Sequence, residues 1–192
     1  MLVVDAQQDF WTDAEAATAP DMPARLAGLL TYARGAGLRV VHVRARFRAD
    51  GGDWMARYRL RGTIPCVDGT PGAETLPWAV EAPGETVVSK QTFDGFLHTD
   101  LDAVLRAAGV QFVLVAGLVT STCVLFTTCT ATQLGYLTAV VTDCCSDGEE
   151  SHRSTLSNYR FVFDSARSTE LRAMRARWDS ELDRLASPRP AG

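Results

Sequence analysis

Three residues of this chain carry side chains that could together perform nucleophilic chemistry, namely Asp5, Lys90 and Cys123. Cys123 follows an apolar run and a short polar turn, a pattern that predicts a position in the first turn of a helix. Unpaired backbone N–H groups and the helix dipole favour a thiolate there, and they can hold the negative oxygen of an attacked carbonyl. Cys123 is therefore a candidate nucleophile, although a single cysteine is more often a small core residue.

Lys90 stands out because it is the only lysine among the 19 lysine and arginine residues, so the other 18 are arginine. An ammonium is a compact charge on a flexible stem, whereas a guanidinium is a planar fork. Retention of one lysine therefore indicates a position at which arginine would not serve. The alternative is that one lysine survived by chance in an arginine-rich composition.

Alternation of apolar runs with amphipathic segments predicts a doubly wound, three-layer α/β fold. In this fold a six-stranded, mainly parallel sheet has helices on both faces. Residues 1–186 are expected to form a single domain, and residues 187–192 a frayed tail. The predicted strands span residues 1–5, 39–44, 85–90, 112–117, 137–142 and 160–163. The predicted helices span residues 22–36, 99–108, 148–159 and 168–185, and a further helix begins near residue 123.

The predicted fold would bring the three reactive residues together. Asp5 and Lys90 each end a predicted strand, and Cys123 follows a third. Ligands of open α/β sheets collect at the carboxyl ends of the strands, near the point where the strand order reverses. We therefore expect one site at this edge, in which Asp5 accepts the thiol proton as general base and Lys90 holds the thiolate and the carboxylate.

Residues 45–84 show no clear periodicity and are rich in glycine and proline. Such a long irregular segment is usually functional, so it predicts a lid or a specificity excursion. A surface excursion packed by its own aromatic residues is the alternative. Aromatic and basic side chains around the cleft are the predicted substrate contacts, namely Phe10, Trp11, Arg46, Trp54, Tyr58, Phe93 and Phe96. Arg46 with tryptophans nearby would suit a flat or anionic substrate.

Composition and charge exclude several other classes of protein. The net charge of -4 and the lack of a basic run argue against nucleic acid and anionic membranes as partners. The opening MLVVDAQQDF is interrupted by Asp5, so it predicts neither a signal peptide nor a membrane span. Five cysteines without a CxxC pair indicate reduced thiols in a cytoplasmic enzyme. His42 with Asp53 is not a convincing metal site, so neither a metal nor another cofactor is expected.

Four stretches of the sequence, in this order, resemble the isochorismatase-like cysteine hydrolases. They are DAQQDF (5–10), SKQTFDGFLHTDLDAVLRAAGV (89–110), VAGLVTSTCVLFTT (115–128) and VVTDCCSD (140–147). The resemblance implies a catalytic triad of Asp5, Lys90 and Cys123. It also implies a cis peptide bond between Leu118 and Val119, and an oxyanion site made by the backbone N–H groups of Thr122 or Cys123.

This family includes nicotinamidases, N-carbamoylsarcosine amidases, and ureidoacrylate and maleamate amidohydrolases. The resemblance therefore implies cysteine-dependent hydrolysis of a non-peptide C–N bond in a small molecule (an amide, ureido group or ring amide) through a thioester. It also implies a homodimer or homotetramer. Two alternatives stay open: an isochorismatase-type vinyl-ether hydrolase, whose chemistry does without the cysteine, and a non-catalytic member of the same fold.

Overall fold

A central six-stranded sheet organises the chain in the computed structural model, which describes residues 1–186. Strands β1 to β6 span Leu2–Val4, Val41–Ala45, Thr86–Lys90, Phe112–Leu118, Leu137–Ser146 and Asp164–Ala166. Their order in the sheet is β3-β2-β1-β4-β5-β6, and every pairing is parallel. The predicted α/β fold with a six-stranded parallel sheet is therefore confirmed.

Helices cover both faces of this sheet. Helices α1 to α7 span Asp13–Thr18, Met22–Gly35, Ala56–Arg61, Leu101–Ala107, Leu125–Gln133, Glu149–Asn158 and Leu171–Ala186. One core layer contains Leu26 of α2 and Trp178 of α7, and the other contains Leu105 of α4 and Ala131 of α5. Burying one leucine side chain stabilises the fold by about 1.5–3 kcal/mol. Apolar burial on both faces thus holds the carboxyl ends of the strands in a fixed arrangement.

Several predicted boundaries were wrong at the end of the chain. The sixth strand was predicted at residues 160–163, but these residues form a turn in which the N–H groups of Val162 and Phe163 donate to the carbonyl of Tyr159. The apolar side chains had suggested a strand, yet Phe161 is 84% exposed. Strand β5 continues to Ser146, four residues beyond its predicted end. The predicted tail at residues 187–192 lies outside the described residues.

The amino-terminal half contains structure that the sequence pattern did not indicate. Helix α1 was missed, although Thr12 accepts a hydrogen bond from the N–H of Glu15 at its start. Residues 45–84 also contain α3 and two short 3-10 helices, Pro71–Ala73 and Pro77–Ala79. No helix within residues 1–186 is long and apolar enough to span a membrane.

Candidate active site

Asp5 lies directly after β1, at the carboxyl edge of the sheet, and is fully buried. Its backbone adopts the left-handed conformation (φ 47°), which costs a non-glycine residue roughly 1–2 kcal/mol. The Asp5 N–H donates to the carbonyl of Val43 at 2.8 Å, and the N–H of Ala45 donates to Oδ1 of the carboxylate at 2.7 Å. Strand β2 therefore holds both the backbone and the side chain of Asp5.

Lys90 is the last residue of β3 and is only 1% exposed. Its Nζ lies 2.7 Å from Oδ2 of Asp5 and donates hydrogen bonds to the carbonyl of Thr92 at 2.9 Å and to Sγ of Cys123 at 3.5 Å. The contact with Asp5 is a close ion pair, and the Asp5 side chain also interacts with the thiol of Cys123. The carboxylate of Asp5 is therefore within reach of the thiol proton.

Cys123 lies in a turn between β4 and α5, which we call the nucleophile turn (residues 119–124). The helical run begins with a five-residue π-helical turn, Thr120–Val124, that continues directly into α5, so Cys123 lies in the first turn as the sequence pattern predicted. The peptide bond between Leu118 and Val119 is cis. The N–H groups of Thr122 and Val124 both donate to the carbonyl of Val119, at 3.2 and 3.3 Å. The backbone N–H of Cys123 lies between these two groups in the chain, next to the sulfur.

Two residues that follow β5 form hydrogen bonds with the nucleophile turn. Oδ2 of Asp147 accepts a hydrogen bond from the N–H of Ser121 at 2.8 Å, and Nδ1 of His152 lies 2.8 Å from Oγ1 of Thr120. Burial lowers the pKa of His152, so its imidazole stays neutral and can accept from that hydroxyl. Neither residue was predicted to belong to the site. Asp147 could have been found from the sequence, because it follows a predicted strand at the same edge of the sheet as Asp5.

The charges of the site keep the thiol protonated and the ammonium charged. Burial raises the pKa of Cys123 well above its ordinary value, the Asp5 carboxylate raises it further, and Lys90 opposes both effects. Burial alone would lower the pKa of Lys90, but its interactions with Asp5 first and Cys123 second outweigh that effect and hold the pKa above its ordinary value. Burial and the neighbouring Asp5 therefore favour the neutral thiol of Cys123, in contrast to the thiolate that helix geometry alone suggested.

A cavity of about 280 Å³ opens in front of Cys123. It is lined by Phe10, Ala45, Phe47, Met55, Tyr58, Pro65, Lys90, Thr92, Phe93, Val119, Thr122 and Cys123. Three predicted substrate contacts are among these residues: Phe10, Tyr58 and Phe93. The segment 45–84 contributes Ala45, Met55, Tyr58 and Pro65 to this lining. This segment therefore forms one wall of the cavity.

The structure does not bring the other four predicted contacts to this cavity. Trp11 packs against Trp78 with ring centroids 5.3 Å apart, and Nε1 of Trp54 donates to the carbonyl of Arg48. Phe96 is a core residue. The fourth, Arg46, pairs with an exposed carboxylate. These four side chains were predicted from their positions in the sequence, but tertiary packing directs them away from the cavity.

No group of three or more His, Cys, Asp or Glu residues that could hold a metal ion occurs within residues 1–186. His42 lies in β2 with Nε2 2.9 Å from Oε2 of Glu85. Cys144 and Cys145 are free and buried in β5. Burial raises the pKa of Cys145 to about 12. Neither of them lines the cavity, whereas Cys123 does.

The site lies in a chain that belongs to the isochorismatase family, because the family model described as the isochorismatase domain matches residues 1–170. The chain is therefore an enzyme of that family. It is 35% identical to a maleamate amidohydrolase of Pseudomonas putida over 154 residues, which cover 77% of this chain and 71% of the relative. It is 36% identical to a streptothricin hydrolase of Streptomyces noursei over 71% of this chain and 45% of that protein.

The fold is also found in a solved structure. An isochorismatase family protein from Desulfovibrio vulgaris superimposes with a TM-score of 0.83 at 34% identity, over 91% of this chain and 96% of the other.

Proposed function

We propose that this enzyme hydrolyses a C–N bond of a small molecule through a thioester on Cys123, with an amide as the first candidate group. The observation that carries the proposal is the placement of the Lys90 ammonium, 2.7 Å from a carboxylate oxygen of Asp5 and 3.5 Å from the sulfur of Cys123. The names of the relatives, maleamate amidohydrolase and streptothricin hydrolase, support hydrolysis. Ureido groups and ring amides are the other C–N bonds that fit this chemistry.

The first half of the proposed reaction forms the thioester. Because the pKa of Cys123 is raised, the thiol must lose its proton as it attacks, and the carboxylate of Asp5 is the acceptor within reach. The sulfur then bonds to the carbonyl carbon, and the carbonyl oxygen becomes an oxyanion. Backbone N–H groups of the nucleophile turn, those of Thr122 or Cys123, would donate to that oxygen. When the C–N bond breaks, the amine or ammonia leaves with the proton that Asp5 returns.

The second half hydrolyses the thioester. Asp5, again a carboxylate, accepts a proton from water as the water oxygen attacks the carbonyl carbon. The C–S bond breaks, the acid product leaves, and the proton returns to the sulfur. Lys90 keeps a positive charge beside the sulfur and the carboxylate throughout, which stabilises whichever of the two is negative.

The test is hydrolysis of a panel of small primary amides by the wild type, Cys123→Ala and Cys123→Ser. We expect turnover by the wild type alone, and a covalent acyl adduct on Cys123 detected by mass spectrometry after rapid acid quenching. Equal rates for wild type and Cys123→Ala would rule out the covalent mechanism.

The same variants separate this proposal from the two alternatives. A vinyl-ether hydrolase would keep its activity in Cys123→Ala and lose it in Asp5→Asn. A non-catalytic member of the fold would hydrolyse none of the amides or ethers tested, and Cys123 would form no adduct. The amide proposal requires loss of activity in both variants.

A further inference from the structure

The charges around the active-site cavity bear on the kind of acyl group that it accepts. Four aromatic rings contribute to its lining, together with Met55 and Pro65. Among the described residues of the lining, Lys90 is the only charged side chain, and its ammonium is already in contact with Asp5, Thr92 and Cys123. The described lining therefore offers a negative substrate no second counterion.

Arginines near the cavity do not supply this missing charge. Nε of Arg46 lies 3.3 Å from Oδ1 of Asp68, and both side chains are more than half exposed. Arg61 is absent from the cavity lining and lines a neighbouring depression together with Asp9 and Tyr58. A carboxylate carried by a bound acyl group would lose its water without gaining an ion pair, which is strongly unfavourable.

Tyr58 provides a neutral polar group in the same wall. Its ring contacts Phe47 and Phe93 edge-on or tilted, with both centroids 6.2 Å away. Its hydroxyl has no hydrogen-bond partner in the part of the chain that the structure describes. Tyr58 also lines both the cavity and the neighbouring depression. The hydroxyl is therefore free to bind a neutral polar atom at the far end of a bound acyl group.

We propose that the cavity selects small, flat amides whose acyl group is uncharged, and that the hydroxyl of Tyr58 binds a neutral polar atom of that group. This inference rests on the proposed amide hydrolysis and specifies its substrate class. It also distinguishes this chain from its relative named as a maleamate amidohydrolase, because maleamate carries a carboxylate on the acyl side.

Maleic diamide and maleamate form a matched pair for the test, because they differ only in one amide group replaced by a carboxylate. We expect the wild type to hydrolyse the diamide once and to accumulate maleamate, with kcat/KM at least about 100-fold higher for the diamide. Comparable kcat/KM values for both would overturn the proposed substrate class and leave the amide hydrolase intact. Absence of Cys123-dependent turnover on every amide tested, neutral or charged, would instead reject the proposed function, and this inference with it.

Four variants locate the selectivity within the cavity. Met55→Arg, which places a guanidinium in the wall, is expected to raise the ratio of maleamate to diamide turnover at least about 10-fold, and Met55→Gln is the uncharged control. Tyr58→Phe should lower kcat/KM for the diamide about 10-fold but leave isocrotonamide, which has a methyl group in place of the second amide, unchanged. Equal losses on both would refute the role of Tyr58. Specific loss of maleamate turnover in Arg46→Ala would show that this arginine supplies a counterion and would contradict the proposal.

Discussion

Replacement of Asp5 by asparagine tests how far the site depends on one buried ion pair. The side chains of Lys90 and Asp5 are 1% and 0% exposed and lie 2.7 Å apart. Removal of one partner from a buried pair leaves an uncompensated charge and costs about 3–5 kcal/mol. In a chain of this size, 1 kcal/mol lowers the melting temperature by about 2–4 °C. We therefore expect Asp5→Asn to melt roughly 6–20 °C below the wild type.

The pH dependence of this loss has a defined sign. In the wild type the pKa of Lys90 is raised above its ordinary value of 10.5, so the ion pair stabilises the fold fully below that pH and is lost only above it. Without the carboxylate, burial lowers the pKa of the same ammonium. The penalty for burying its charge is then largest at low pH. We expect Asp5→Asn to gain stability between pH 6 and pH 9, a range in which the wild-type pair contributes a constant amount.

Urea unfolding and amide hydrolysis, measured on the same preparations, check this reasoning. Asp5→Asn/Lys90→Met should recover at least about 2 kcal/mol relative to Asp5→Asn, because the buried charge is gone, and it should remain inactive. Asp68→Asn is the matched control, since its pair with Arg46 is exposed and should contribute less than about 1 kcal/mol. If Asp5→Asn were as stable as this control, the site would not contain a buried, charged Lys90, and the reasoning would fail.

Three further predictions concern parts of the fold that support the site. Gly117→Ala should lower the free energy of unfolding in urea by roughly 4 kcal/mol, because a Cβ at φ +129° would lie 1.9 Å from a carbonyl oxygen of β1. Gly135→Ala is the control: it also has positive φ, but the space around its Cβ is open, so it should cost about 1 kcal/mol. The hydrogen bond with Arg34 lowers the pKa of Glu85 from 4.5 to about 2. The Glu85 carboxylate should therefore add up to about 3 kcal/mol to the free energy of unfolding above pH 4.5, and this contribution should disappear as the pH falls towards 2. Glu85→Gln should abolish that pH dependence in acid titrations of stability. Asp147→Ala should lower kcat at least about 10-fold with little change in KM, because it releases a backbone amide of the nucleophile turn, and an unchanged kcat would show that the turn holds its geometry without that contact.

Much of the sheet could be predicted from the sequence because buried parallel strands are short apolar runs that end at a glycine or a charged residue. Strand β3 ends at Lys90 as expected, and Asp5 directly follows β1. The carboxyl edge of a parallel sheet then places such residues near one another. For the same reason residues 160–163 were misleading: three consecutive apolar residues in a turn have the composition of a short strand, although these form a turn on the carbonyl of Tyr159.

The substrate wall could not be predicted because its members are set by tertiary packing. Phe47 and Trp54 both lie in the same irregular segment, yet Phe47 lines the cavity and the indole of Trp54 is bonded to a backbone carbonyl outside it. The protonation state of Cys123 was also beyond the sequence. A position near a helix start favours the thiolate, whereas complete enclosure beside a carboxylate favours the thiol, and only the structure reveals which effect dominates.

The single lysine of the chain has a geometric explanation in this site. The Nζ atom of Lys90 has contacts in three directions: a carboxylate of Asp5, a backbone carbonyl of Thr92 and the sulfur of Cys123, at 2.7 to 3.5 Å. An ammonium can contact three such partners from one atom, whereas a guanidinium needs acceptors close to one plane and more volume. Because the site is enclosed, it cannot expand to fit the larger group. The same compactness keeps the positive charge within reach of both the carboxylate and the sulfur, so it can stabilise the negative charge on either one as the proton moves between them.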